Sequence, residues 1–434
     1  MSHMLMNLKK ATAAGALLGL LAVSGTASAE LQTRYTGSCK TLSPETADPS
    51  KEKRKLGLTD EYVYKQMQKA QEPLGREAYD EALALLLPLI ERSENKAYEN
   101  AWVRMQVSFV YANKKAWPKA IEQAKAAIDK QALQDAQELQ LRQNLIYFYL
   151  SAENTANALD AALEYFKHAV APKPDMYAML GSIYFQLNRY QDSICPTYLA
   201  ITRAPTAKKP WLQMLASAHM EIKDLEGTGV VLKETLEHFP DDKTLWLQLS
   251  SVFLQQEKDA EALAILDLAY LKGHVDQEGH LKNLAGLYAN AGIPLKAAAI
   301  MEKAIMAGQV PANEKNWRSV AQNYNLAREF NKAVPAYGEA AKFVTDGTYF
   351  LYQGEIFAQQ EKWAEATTAF SKALEKGGLK DPGRIYLNLG IAQYSQGKIQ
   401  PALASLEKAT QYDKSRNNAS SWINFINSKR VASE

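Results

Sequence analysis

Cysteine, glycine and proline are all scarce: 2, 22 and 16 residues in a chain of 434. With 47% hydrophobic and 9% aromatic residues, this composition builds a core and excludes a disordered chain. Charge of one sign is not in excess. Fifty basic against 48 acidic residues gives no argument for nucleic acid or an anionic surface as the main partner. Glycines occur singly, so there is no phosphate-cradling loop, and no Gly-x-Ser-x-Gly or convincing Cys–His pair stands out. No cofactor, metal or catalytic residue is expected. His274 and His280 lie six apart around a turn with Asp276 and Glu278, a spacing that matches no helical zinc motif.

Long apolar runs are also absent after the N-terminus. There, Lys9-Lys10 precede an apolar stretch from Ala11 to Val23, and Ala27-Ser28-Ala29 follows. A positive start, a short apolar region and a small-x-small site predict a secretory signal peptide over 1–29, cleaved after Ala29. The alternative is an uncleaved anchor, but about 13 residues fall short of the roughly 20 that a spanning helix needs. The expected location is a bacterial periplasm. Residues 30–58 read as a polar leader, a loop or lightly held segment, with Pro44, Pro49 and the charge run Lys51 to Lys55. An even cysteine count in an oxidising compartment permits a disulfide between Cys39 and Cys195. Two unpaired thiols, with Cys195 packed in a helix, is the other reading.

From Thr59 onward, helical periodicity continues to the end. It is clearest from Gly347 to Asp413, where one pattern occurs twice. Gly354 and Gly390 are 36 apart, as are Ala366 and Ala402, Phe370 and Leu406, and Ala373 and Ala409. Spacings of three and four put these residues on one face of each helix. Small residues let two helices approach and large ones fill the groove beside them. The same pattern recurs upstream, through Trp317/Ala333, Leu284/Ala297, Trp246/Ala262 and Tyr177/Ala200, and weakens before residue 172. His219 sits where other first helices place Tyr or Phe, which predicts a packed core position.

A period in the mid-thirties with these residues resembles the tetratricopeptide repeat (TPR). The resemblance implies an all-α, right-handed α-solenoid of about ten TPR-like helix-turn-helix repeats with a C-terminal capping helix. Degenerate hairpins are expected over 59–172, the array over 173–415, and the capping helix and tail over 416–434, carrying Trp422, Ile423, Phe425 and Ile426. TPR arrays are protein–protein scaffolds and peptide receptors, so the chain is expected not to be an enzyme. Carried over position by position, the concave face would hold Phe185, Met220 and Leu254 as apolar contacts. Lys282, Arg318, Gln322 and Asn325 would hold carboxylates or backbone groups of a peptide. The exported layout, the leader cysteine and the helix from Ala82 to Ile90 also resemble the TPR accessory component of TonB–ExbB–ExbD systems. That resemblance implies TonB, ExbB or ExbD as partners and a part in iron uptake. The competing reading is an envelope-assembly or peptidoglycan-associated adaptor.

Overall fold

The computed structural model describes residues 26–46, 54 and 57–431, so the apolar region of the expected signal peptide lies outside the described residues. All regular structure among them is helix. The fold is an all-α solenoid of TPR-like hairpins, divided into two compact units that meet in sequence at Gln256 and Glu257.

In the first unit, hairpins pair Ala97–Asn113 with Trp117–Asp129, Asp135–Ser151 with Thr155–His168, Pro174–Gln186 with Tyr190–Arg203, and Lys209–Glu221 with Leu225–His238. A shorter one precedes them, in which Glu61–Lys69 and Gln71–Gly75 face Tyr79–Arg92. In the second, hairpins pair Glu278–Asn290 with Pro294–Met306, Glu314–Leu326 with Phe330–Ala341, Thr348–Gln359 with Trp363–Lys376, and Pro382–Ser395 with Ile399–Thr410. The last helix, Asp413–Val431, lays Ala419 and Ile426 onto Ala402, Leu406 and Ala409, which covers the apolar side of the last hairpin.

Each hairpin turns on one residue with left-handed backbone. These are Glu77, Lys115, Glu153, Asn188, Lys223, Gly292, Arg328, Glu361 and Gly397, at φ between 57° and 76°. The next N–H then reaches back to the carbonyl five residues earlier, as in Asn154 to Tyr149, Arg189 to Tyr184 and Lys362 to Phe357, each 2.9 Å. That is the Schellman closure of a helix C-terminus. Glycine adopts this φ without a Cβ penalty, yet seven of the nine positions carry other side chains. Glu361→Gly is therefore expected to stabilise the second unit by about 0.5–1 kcal/mol. A lower midpoint in denaturant would contradict this.

Core packing follows the small-and-large pattern. A Cβ on Gly354 would sit 2.6 Å from the Phe370 ring, and one on Gly390 would sit 2.7 Å from Leu406. Some buried tyrosine hydroxyls are met by carboxylates, as where Tyr324 donates to Glu302 Oε2 at 2.5 Å.

The leader opens as a helix and continues as an irregular segment. Residues Thr26–Tyr35 form a helix that packs along Leu225–His238, burying Leu31 and Tyr35. The leader after it runs to the other second helices, where Ser43 Oγ donates to the Phe166 carbonyl at 2.6 Å and Glu45 pairs with Arg203. The expectation of a loop describes 36–46 and missed the helix, because the single pair Leu31 and Tyr35, four apart, is too short a pattern to announce one. In the charge run, Arg54 pairs with Asp135 at 2.8 Å and with buried Glu138 at 2.5 Å. Lys51, Glu52, Lys53 and Lys55 lie outside the described residues.

Candidate functional site

Two places combine chemistry with a built surface, one in each unit. In the first unit it is the docked leader. Cys39 and Cys195 are joined by a disulfide, with Cα atoms 5.1 Å apart, and no free cysteine is present. One turn of helix away, Arg34 Nη2 meets Asp224 Oδ2 at 2.5 Å. The same oxygen lies 2.8 Å from Nδ1 of His219, whose Nε2 faces the Tyr35 hydroxyl. A neutral imidazole protonated on Nδ1 satisfies both contacts: Nδ1–H donates to Asp224 and the Tyr35 O–H donates to Nε2. His219 is thus a core residue, as its repeat position implied, and also the anchor of the leader.

Burial pushes the His219 pKa below the ordinary histidine range, against the opposing pull of Asp224. Burial alone would raise Asp224, but the Gly227 N–H and the Arg34 guanidinium outweigh it and hold the carboxyl low. Both groups therefore favour docking at higher pH, each in its own window. His219 binds its proton more readily undocked, so its contribution is complete above about pH 6.5 and falls below it. Asp224 contributes above about pH 4 and loses its share as pH falls through its lowered value. Amide exchange over residues 30–37, corrected for intrinsic rates, is expected to show more frequent opening at pH 5.5 than at pH 7.5. Equal opening would remove His219 from the anchor.

The first-helix residues singled out in this unit divide. Met220 is exposed, whereas Phe185 and Leu254 are half-buried. Phe185 sits edge-on to Tyr190 with ring centroids 5.0 Å apart, so it packs inside its own hairpin more than it faces solvent.

In the second unit, a cleft of about 200 Å³ lies between the first helices Glu278–Asn290 and Glu314–Leu326, floored by Met301. Lys282, Gly286 and Ala289 line one side and Lys315, Ser319 and Asn323 the other. A Cβ on Gly286 would touch nothing, so this stretch of the cleft wall faces open space. Lys282 lies at its edge, paired with Glu278 at 2.5 Å. Arg318 pairs with Glu314 at 3.2 Å, Gln322 is exposed and Asn325 is half-buried. These three share a neighbouring stripe of the same helix and do not line the cleft. Lys315, Ser319 and Asn323 went unnoticed because transfer by repeat position selected only the 318/322/325 stripe. Among the described residues there is no group of three or more His, Cys, Asp or Glu side chains able to hold a metal, and no helix is long and apolar enough to cross a membrane.

The TPR_16 tetratricopeptide repeat family matches residues 149–208 and 351–419. Among solved structures, a tetratricopeptide repeat protein from Parabacteroides merdae is 14% identical, with 61% of this chain and 98% of that one covered and a TM-score of 0.31. YrrB, described as a TPR protein with an unusual peptide-binding site, is 19% identical over 43% of this chain and 95% of its own, with a TM-score of 0.32. The TPR2AB domain of yeast Sti1, in its complex with pHSP90, is 20% identical over 58% and 96%, with a TM-score of 0.29. No curated protein matches the sequence. In the two matched stretches, one in each unit, the hairpins of this chain are tetratricopeptide repeats.

Proposed function

We propose that this protein is an exported interaction scaffold whose second unit binds an extended peptide or helix of a protein partner across its first-helix face. The observation that carries this reading is the open cleft between Glu278–Asn290 and Glu314–Leu326, lined by Gly286 and edged by Lys282 and Lys315. An apolar floor with a few polar groups at the rim suits a side chain from a peptide whose backbone runs over Gln322. Arg318→Glu, on the adjoining stripe, places a second carboxylate beside Glu314. It is expected to leave folding unchanged and to weaken partner binding about tenfold. Unchanged affinity removes Arg318 from the site.

Export is supported by the basic-apolar-small pattern before Glu30 and by a disulfide that suits an oxidising compartment. Within the periplasm, we take the partner to be a TonB–ExbB–ExbD system and the role to be support of iron uptake, by resemblance of the layout. In-cell crosslinking followed by mass spectrometry tests this. Recovery of TonB, ExbB or ExbD supports the assignment. Recovery of peptidoglycan synthases or outer-membrane lipoproteins keeps the scaffold and contradicts the assignment.

A further inference from the structure

Glu234, on the helix Leu225–His238, is only 4% exposed, and its carboxylate is half engaged. Oε1 accepts from the Ser28 hydroxyl at 2.8 Å and lies 3.0 Å from His238 Nε2. Oε2 is buried without a partner among the described residues. A buried carboxylate oxygen that has lost water and gained no donor is costly, so its retention asks for a reason. The adjacent lysine does not supply the missing donor, because Lys233 Nζ is engaged by Glu30 at 3.1 Å.

The leader helix that brings Ser28 to Glu234 runs through the Ala29–Glu30 bond, where the sequence places signal cleavage. Hydrolysis there adds one water. The Ala29 carboxylate leaves with the discarded segment, and the Glu30 nitrogen becomes an amine that is protonated at neutral pH. Ser28, which donates to Glu234, leaves too. The Glu30 nitrogen lies two residues further along the helix, about 3 Å of axial rise and roughly 200° of turn from Ser28, so reaching Glu234 takes an unwinding of the freed first turn. Three contacts that hold this part of the leader in place stay on the retained side: Glu30 to Lys233, Arg34 to Asp224, and Cys39 to Cys195.

We propose that the buried carboxylate of Glu234 is a receptor for the chain's own new amino terminus, the Glu30 ammonium taking over from the Ser28 hydroxyl and supplying the donor that Oε2 lacks. The inference rests on the export reading above. An ammonium carries three donors and a full charge, where a hydroxyl carries one donor and none. The uncut chain therefore docks its leader with Glu234 under-satisfied, and the processed chain docks it with a buried ion pair.

The test uses protein expressed with its own leader in a host that exports it. N-terminal sequencing comes first, followed by competitive acylation of the α-amine across pH. Capture raises the pKa of this amine above its ordinary value near 8, and a tenfold higher proton affinity makes acylation at neutral pH about tenfold slower. Glu234→Gln is expected to restore the ordinary rate, and Glu237→Gln, at an exposed carboxylate of the same helix, is expected to leave the protection in place. The pH profile of the unsubstituted protein decides the matter if Glu234→Gln does not fold. A start at Glu30 with an ordinary amine profile overturns capture while leaving export intact. A start anywhere else overturns the cleavage reading and the capture with it.

Discussion

Replacing Cys39 and Cys195 together by serine is expected to destabilise the first unit by about 3–5 kcal/mol. The bond closes a loop with a sequence separation of 156, long enough that cross-linking removes much conformational freedom from the unfolded chain. The folded state loses as well. Without the clip, the leader is held by Leu31, Tyr35, the Arg34–Asp224–His219 contacts and the bonds from Ser43 and Glu45 to the neighbouring second helices. Two observables separate the effects. The denaturant midpoint of the first unit reports the total loss, and protease cutting between 36 and 46 reports release of the leader. Faster cutting and a lower midpoint are expected together. An unchanged midpoint would mean that the leader is an appendage and not part of the unit's structure.

Phe370→Ala is expected to cost about 3–5 kcal/mol in the second unit. Phe370 is fully buried, and its ring is the wall against which Gly354 lies, in a cluster with Ala366, Ala373, Ile385, Leu389 and Ala392. Truncation leaves a cavity that these neighbours, fixed by helix crossings, fill only in part. The reverse pairing, Gly354→Ala alone, is expected to destabilise because the added methyl meets that same ring. Denaturant unfolding followed in the second unit checks both. A loss below about 1 kcal/mol for Phe370→Ala would mean that the crossing relaxes freely and that the repeat register is wrong.

Much of the array was legible because each repeat writes its packing into residue size. Gly354, Ala366, Phe370 and Ala373 announce a helix crossing by their spacing alone, and their counterparts at 390, 402, 406 and 409 repeat it. The turns were less legible. Seven of the nine left-handed positions carry Glu, Lys, Arg or Asn, so the closure is imposed by the neighbouring helices and not by local preference. The docked leader was least legible. Its contacts join residues far apart in sequence, such as Arg34 with Asp224, 190 apart, and Ser28 with Glu234, 206 apart, and no local pattern encodes them. In the candidate site, Lys282 was found by repeat position, whereas Lys315 matters through a rim that only the folded pair of helices defines.

The most direct test of the scaffold account is a photo-crosslinking side chain placed at Gln322, exposed on the first-helix face of the second unit, and in a second protein at Met306, 76% exposed at the end of a second helix. The account predicts a discrete protein adduct from Gln322 in cells and none from Met306. Adducts from Met306 alone, or none from Gln322, would contradict it.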